Sequence, residues 1–400
     1  MTRGTPVALA LGGLVAMAAG LGIGRFVYTP ILPAMVEQLD LTAGEAGLIA
    51  SANFLGYLIG ALLAVAPRLP GSRRGVLLGG LILSAVTTGG MGLVSSPATF
   101  LFLRFVGGVA SAFVLVLAST VVLDRLAAAG RSGLSSLHFA GVGIGIVFSA
   151  VLVSAFPTLG AGWRSLWLAS GAAALVAVVA VAWLVPAHRD RPSATTRPDR
   201  SRRVPGLVAL AGAYGLFGFG YVITATFLVA IVRNSLEVRP LEPLIWAVVG
   251  LTAAPSVVLW TWAGARIGIL RAFGAACLIE AVGVAASVLW LAAPGILIAA
   301  ALLGGTFMGI TALGLAAARE LTPGDPRRML ALMTATFGFG QIVGPTFAGL
   351  LHDRTGSFVL SSLAAAGALV VAAILTAGMR VEDAGASRPH CRPGTDAGPA

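Results

Sequence analysis

The 400-residue sequence predicts an all-α integral membrane protein, with twelve transmembrane helices in two pseudo-symmetric six-helix bundles. Three observations carry that prediction: the composition, a series of apolar runs of membrane length, and a repeat relating the two halves. Hydrophobic residues make up 58% of the chain and charged ones only 10%, against about 25% charge in an ordinary soluble protein. A chain so poor in polar side chains cannot cover a water-facing surface, and the solvent it fits is a bilayer.

A hydrocarbon core of about 30 Å takes about 20 helical residues at 1.5 Å each. Twelve runs of that order fall at 7–36, 45–66, 75–95, 97–124, 132–156, 163–185, 206–232, 242–263, 271–291, 295–319, 328–351 and 358–379. Only helices or closed barrels satisfy the backbone in lipid, and these runs are too long for barrel strands. The N-terminus, "MTRGTPVALALGGLVAMAAG", has the Arg3 and Ala16-Met17-Ala18 of a signal peptide. Its apolar run outlasts a signal core of about 7–15 residues, however, and reads as the first span.

All 26 basic residues are arginine. Without lysine the chain has neither a Walker A loop nor a Schiff-base residue, which excludes ATP-driven transport by this chain alone. Twenty arginines lie in the tails and one alternate set of loops, four (Arg164, Arg233, Arg239 and Arg354) lie in the other set, and Arg25 and Arg104 lie within spans. The positive-inside rule then places both termini in the cytoplasm. It also accounts for the net charge of +11 without a nucleic-acid partner. Cys277, Cys391 and the four histidines are scattered, so no disulfide framework, metal site or cofactor is expected. Without H-E-x-x-H or G-x-S-x-G, an enzyme is not expected either.

The polar, proline-broken segment 187–205, "AHRDRPSATTRPDRSRRVP", reads as a cytoplasmic linker between bundles at 1–186 and 206–380, with a disordered cytoplasmic tail at 381–400. The halves repeat. Gly22-x-Gly24 precedes Gly218-x-Gly220 by 196 residues, and Gly107-Gly108 precedes Gly304-Gly305 by 197. Arg68 and Arg73 precede Arg266 and Arg271 by 198, while Arg131 with Gly141-x-Gly143 precedes Arg328 with Gly338-x-Gly340 by 197. Parallel six-helix repeats are the plan of the major facilitator superfamily (MFS).

"GIGRFVYTPILP" followed by "SANFLGYLIGALLA" resembles the start of the YbfB/YjiJ-type branch of that superfamily. "RFVGGVASA" in span 4 resembles the MFS motif whose arginine has been tied to proton coupling. Two motifs depart from the pattern. Pro67 and Ala265 stand where an aspartate precedes the loop arginines, and "GVGIGIVFSA" in span 5 lacks the proline of the antiporter motif, of which "GQIVGPTFAG" in span 11 is the better copy. The resemblance implies a monomeric secondary transporter moving a small organic molecule by alternating access, with proton-coupled efflux as the expected mode. Uptake by a symporter or uniporter, or a transporter-shaped receptor, are the alternatives.

Arg25, Tyr28 and Thr29 stand at helical spacing in span 1, and Pro30 and Pro33 are expected to free the Phe26 and Thr29 carbonyls and bend the helix there. A charge within a span is a functional candidate by default, here an anchor for an anionic or polar substrate. Arg25 is expected to face a central cavity with Tyr28 and Asn53 near enough to share a ligand or water network. Tyr57 adds a phenol one turn after Asn53, and Tyr214, Tyr221 and Gln341 are the binding candidates from the other half. Phe217, Phe219, Phe337 and Phe339 are candidates for an apolar lining. Arg104, His138 and Glu280 (the one carboxylate near the centre of a span) are candidates for proton coupling. Asp124 and Glu320, at the ends of spans 4 and 10, are candidates for gate pairs with Arg125 or Arg319.

Overall fold

Why does one long apolar stretch, Pro6–Leu39, not form one straight helix? In this computed structural model it begins as α1 (Pro6–Met17), widens into a π-helical turn at Ala18–Ile23, passes through a non-helical turn, and resumes as α2 (Tyr28–Leu39). The Gly24 and Phe26 amides reach back five residues, to the Ala19 and Leu21 carbonyls. Glycine supplies the reason. A Cβ on Gly22 would lie 2.5 Å from the Gly145 Cα, so the widened turn is where the backbones of spans 1 and 5 touch. The interruption therefore precedes Pro30 and Pro33, which sit inside the new helix, rather than coinciding with them.

The structure describes residues 5–64, 72–155, 162–187, 205–321 and 326–379. The expected linker lies outside the described residues except for its two ends, and so does the expected tail. The remaining helices are α3 (Ala43–Ala64), α4 (Arg73–Gly90), α5 (Pro97–Ala128), α6 (Ser135–Ala155), α7 (Trp163–Leu184), α8 (Pro205–Asn234), α9 (Glu242–Ile267), α10 (Ile269–Leu289), α11 (Ala293–Leu321), α12 (Pro326–Thr355) and α13 (Val359–Ala377). With α1 and α2 counted as one, twelve segments are long and apolar enough to cross a membrane.

Burial runs opposite to that of a soluble protein. Val176 and Val179 are 71% exposed, Ile374 65% and Phe102 64%, while Arg25, Arg104, Asn53, His138, Glu280 and Gln341 are all buried. The apolar exterior suits hydrocarbon, and the polar groups are kept for the interior. Small residues let helices approach: a Cβ on Gly60 would stand 2.7 Å from the Val109 carbonyl oxygen, so α3 and α5 pack backbone to backbone.

Among residues up to 184, α3 packs on α5, α4 on α5 and α7, and α1 on α6. From 205 onward, α8 packs on α12 and α13, α11 on α9 and α10, and α10 on α13. Among the described residues, the groups join mainly through α3 with α12, α6 with α9, and α2 with α8. Polar contacts between the groups gather toward the end carrying residues 37–43. There, Asp353 accepts the Ala43 and Gly44 amides at 2.9 Å each, Arg233 pairs with Glu37 and, at 3.1 Å, with Glu242, and Ser154 bonds the Pro243 carbonyl at 3.2 Å. Nearer mid-depth Thr29 bonds the Ala225 carbonyl at 2.7 Å, and Ser51 bonds the Ile342 carbonyl at 2.6 Å while accepting the Thr346 hydroxyl at 2.8 Å.

Candidate functional site

Arg25 sits in the turn between the π-helical segment and α2, 5% exposed. Its guanidinium carbon lies 4.3 Å from the Tyr57 ring centroid, 4.7 Å from Phe54 and 5.4 Å from Phe26. Ring faces attract a cation, by about 2 kcal/mol when the pair is desolvated. Among the described residues, Arg25 Nε and Nη2 have no hydrogen-bond partner.

Arg104 is held differently. Its Nη1 donates to the Gly24 carbonyl at 3.3 Å and its Nη2 to the Arg25 carbonyl at 3.2 Å, so α5 clamps the interrupted turn of span 1. The break makes this possible, because the Thr29 amide turns to the Phe26 carbonyl and Arg104 takes that of Arg25. Its guanidinium carbon also lies 5.0 Å from the Tyr28 ring.

Tyr28 and Asn53, expected beside Arg25, are both held against Arg104. Tyr28 packs under Arg104 and donates its hydroxyl to the Ala46 carbonyl at 2.8 Å. Asn53 Nδ2 donates to the Arg104 carbonyl at 2.9 Å. Tyr57 is the residue brought to Arg25. The one-face reading of residues 25 to 29 assumed unbroken helix, whereas residues 24–27 form a turn between the π-helical segment and α2.

Across from Arg25, α8, α11 and α12 supply aromatic rings. Tyr221 lies parallel to Phe307 (8°, 5.7 Å) and to Phe337 (5°, 5.9 Å), with Phe217 stacked on it at 5.1 Å. Tyr214 stacks on Phe337 at 4.8 Å and donates to the Thr311 carbonyl at 3.3 Å. Gln341 Nε2 bonds the Tyr221 hydroxyl, leaving its Oε1 unpartnered. Phe26 meets Phe307 edge-on at 5.9 Å, which joins the two sides of the site. A cavity of about 10 Å³ lies among Phe26, Ile146, Tyr221, Trp246, Leu303 and Phe307, so the site is closed around little more than one water.

Of the four phenylalanines expected in a lining, Phe217 and Phe337 join the stack. Phe219 packs on Phe347 instead, and Phe339 is 67% exposed. Helix geometry explains this, since residues two apart cannot face the same way. The sequence reading missed Phe26, Phe54, Phe307 and Trp246. Phe26 and Phe54 had a signal, each lying next to or one turn from a polar residue already singled out.

The coupling and gating candidates lie elsewhere. Glu280 on α10 is 0% exposed with both oxygens unpartnered, within electrostatic reach of Tyr221 and Cys277. His138 is buried on α6, its Nε2 3.1 Å from the Ser119 hydroxyl. Asp124 meets Arg73 at 3.8 Å, the expected Arg125 donating to the Pro186 carbonyl at 2.9 Å. Glu320 is exposed at the end of α11.

The family described as Uncharacterised MFS-type transporter YbfB matches residues 17–377. The chain belongs to this family of MFS-type transporters. Two Bacillus subtilis proteins described as uncharacterized MFS-type transporters are similar: YtbD, 24% identical across 66% of this chain and 64% of its own length, and YceJ, 25% identical across 52% and 54%. A chloramphenicol resistance protein of Streptomyces lividans is 27% identical across 46% of this chain and 47% of its own length. The matched stretches thus span less than two thirds of each relative. Among solved structures, a mutant of the nucleoside transporter NupG superposes with a TM-score of 0.74, at 16% identity, over 92% of this chain and 99% of that one. A bacterial homolog of the human lysosomal transporter Spinster, in an inward-facing and unoccupied conformation, gives 0.62 at 14% identity over 94% and 96%. The twelve-span MFS-type membrane fold is therefore established.

Proposed function

We propose that this MFS-type protein is a secondary transporter of the bacterial inner membrane. It exports a small organic molecule by alternating access, with proton movement as the driving force. The two groups of six spans, up to 186 and from 206, rock about a central site between them. The observation that carries this reading is Arg25: a buried fixed cation with two unpartnered donors, held against the Tyr57, Phe54 and Phe26 rings of its own group and within electrostatic reach of Tyr221 in the other. The substrate contacts are Arg25, Tyr57, Tyr221 and Gln341, with Tyr214 behind the stack. The clustering of inter-group contacts toward the 37–43 end supports a state closed on that side, which the arginine distribution assigns to the periplasm. Likeness to a chloramphenicol resistance protein and the span 11 motif support export. Glu280, a carboxyl buried without a partner, is the leading proton carrier, and His138 the second.

Purified protein in liposomes tests this. With a panel of small organic molecules, flux of at least one compound responds to an imposed pH gradient, and Glu280→Gln or His138→Ala blunts that response. Flux that is indifferent to gradients of either sign removes the proton link and leaves facilitated diffusion. No flux from any compound removes the transport reading.

A further inference from the structure

We propose that the central site takes a planar aromatic monocarboxylate, with the carboxylate on the Arg25 guanidinium and the ring against the Phe307–Tyr221–Phe337 stack. This rests on reading the central site as the transport site, and it names the substrate class. The anion follows from the two unpartnered donors of Arg25. Nε and Nη2 form one edge of the guanidinium, the pair spaced to meet both oxygens of a carboxylate in a bidentate contact. A neutral group cannot satisfy both as well, and a phosphate monoester, which fits the same fork, brings about two negative charges rather than one. The ion pairs of the described residues join Arg73 to Asp124 and Arg233 to Glu37 and Glu242, and none of them reaches Arg25. A buried charge without a counter-ion is costly, so an incoming anion has a large gain available there.

A single negative charge follows from what Arg104 does. Its two terminal nitrogens are engaged with the Gly24 and Arg25 carbonyls, so it offers no second fork. The aromatic body follows from the rings. Tyr57, Phe54 and Phe26 wrap the guanidinium, and Phe26 leads to Phe307, the first member of a stack whose planes deviate by only 8° and 5°. A flat ring joins such a stack with favourable offset contacts. Two further buried atoms beside the stack lack partners: the Trp246 indole N–H, a donor, and Gln341 Oε1, an acceptor. A ligand hydroxyl satisfies either of them, since it donates and accepts. The cavity of about 10 Å³ is too small for such a ligand as it stands, so entry requires the two groups of spans to part.

Isothermal titration of the purified full chain tests the class with four probes: 4-hydroxycinnamate, cyclohexanecarboxylate, 4-hydroxycinnamyl alcohol and tyramine. The expected result is saturable binding of 4-hydroxycinnamate, with the alcohol and the amine weaker by about tenfold or more, the scale of a lost charge-assisted contact, and the saturated acid weaker by about fivefold, the scale of a lost ring contact. Arg25→Lys and Arg25→Gln weaken it by a similar factor while eluting as monodisperse protein, the lysine variant serving if the glutamine variant does not fold. Phe307→Leu weakens the aromatic acid and leaves cyclohexanecarboxylate unchanged. Equal or tighter binding of the amine, the alcohol or the saturated acid overturns the proposal, as does no binding of the aromatic acid or full binding in a folded Arg25 variant. The transport reading fails separately. Binding of the acid without flux removes transport and keeps the class, whereas flux of another compound without binding of the acid removes the class and keeps transport.

Discussion

Arg25 and Arg104 are buried to the same degree, 5% and 4% exposed, yet their donors are used in opposite ways. Arg104 spends its terminal nitrogens on carbonyls of a broken helix, which makes it part of the frame. Arg25 rests on ring faces and keeps a donor edge unused, which makes it available. The two therefore separate on mutation. Arg104→Leu leaves two buried carbonyls without their donor, so it lowers stability by about 1–3 kcal/mol per orphaned group, read as earlier thermal unfolding in detergent. Arg25→Ala and Arg25→Lys keep normal abundance and lose most transport per folded molecule, the lysine because a compact ammonium does not reproduce the fork. Normal flux per folded molecule in Arg25→Ala would end the case for Arg25 as an anchor.

At the scale of elements, the widened turn of span 1 does the most work. It exposes carbonyls to α5, turns Arg25 toward α3 and α8, and gives Tyr28 to Arg104. The expectation of one helical face from 25 to 29 assumed regular helix through this stretch. A periodicity argument cannot register a turn that arises where two glycine-bearing backbones touch. The second element-scale device is the join at the 37–43 end. Asp353, near the end of α12, accepts the first two amides of α3, and Arg233 of α8 is shared by Glu37 and Glu242. A carboxylate at a helix N-terminus gains from both the free amides and the helix dipole. Combining Asp353→Asn with Arg233→Gln is expected to shift the population toward a form open at this end. Spin labels at Gln38 and Glu237 read it as growth of a longer-distance component, and an unchanged distance distribution would show that the join does not hold the closed form.

For the whole molecule, orientation is the open physical statement, and the arginine asymmetry predicts it. Cysteines placed singly at Ser193 and Thr42, in a chain lacking Cys277 and Cys391, differ toward an impermeant thiol reagent in intact cells. Thr42 is labelled and Ser193 is not; the reverse pattern would overturn the topology. The twelve spans were legible because hydrocarbon imposes a length and a composition that any stretch of sequence either meets or does not, and the helices in the structure match the expected runs to within a few residues at most ends. Arg25, Tyr57, Tyr221 and Gln341 were legible as candidates because polar groups are rare in such a chain and costly to bury. Their partners were not. Whether Arg25 meets Tyr28 or Tyr57, whether Phe217 or Phe219 joins the stack, and which carbonyls Arg104 finds depend on how helices distant in sequence touch, and on one irregular turn. The sequence alone determined membrane and span count, since these follow from local composition summed along the chain, while its repeat and its motifs carried the resemblance to the family. Only the tertiary structure decided which buried cation spends its terminal nitrogens on carbonyls, leaving Nε alone unpartnered, and which keeps an open edge, because hydrogen-bond satisfaction is a property of packed neighbours.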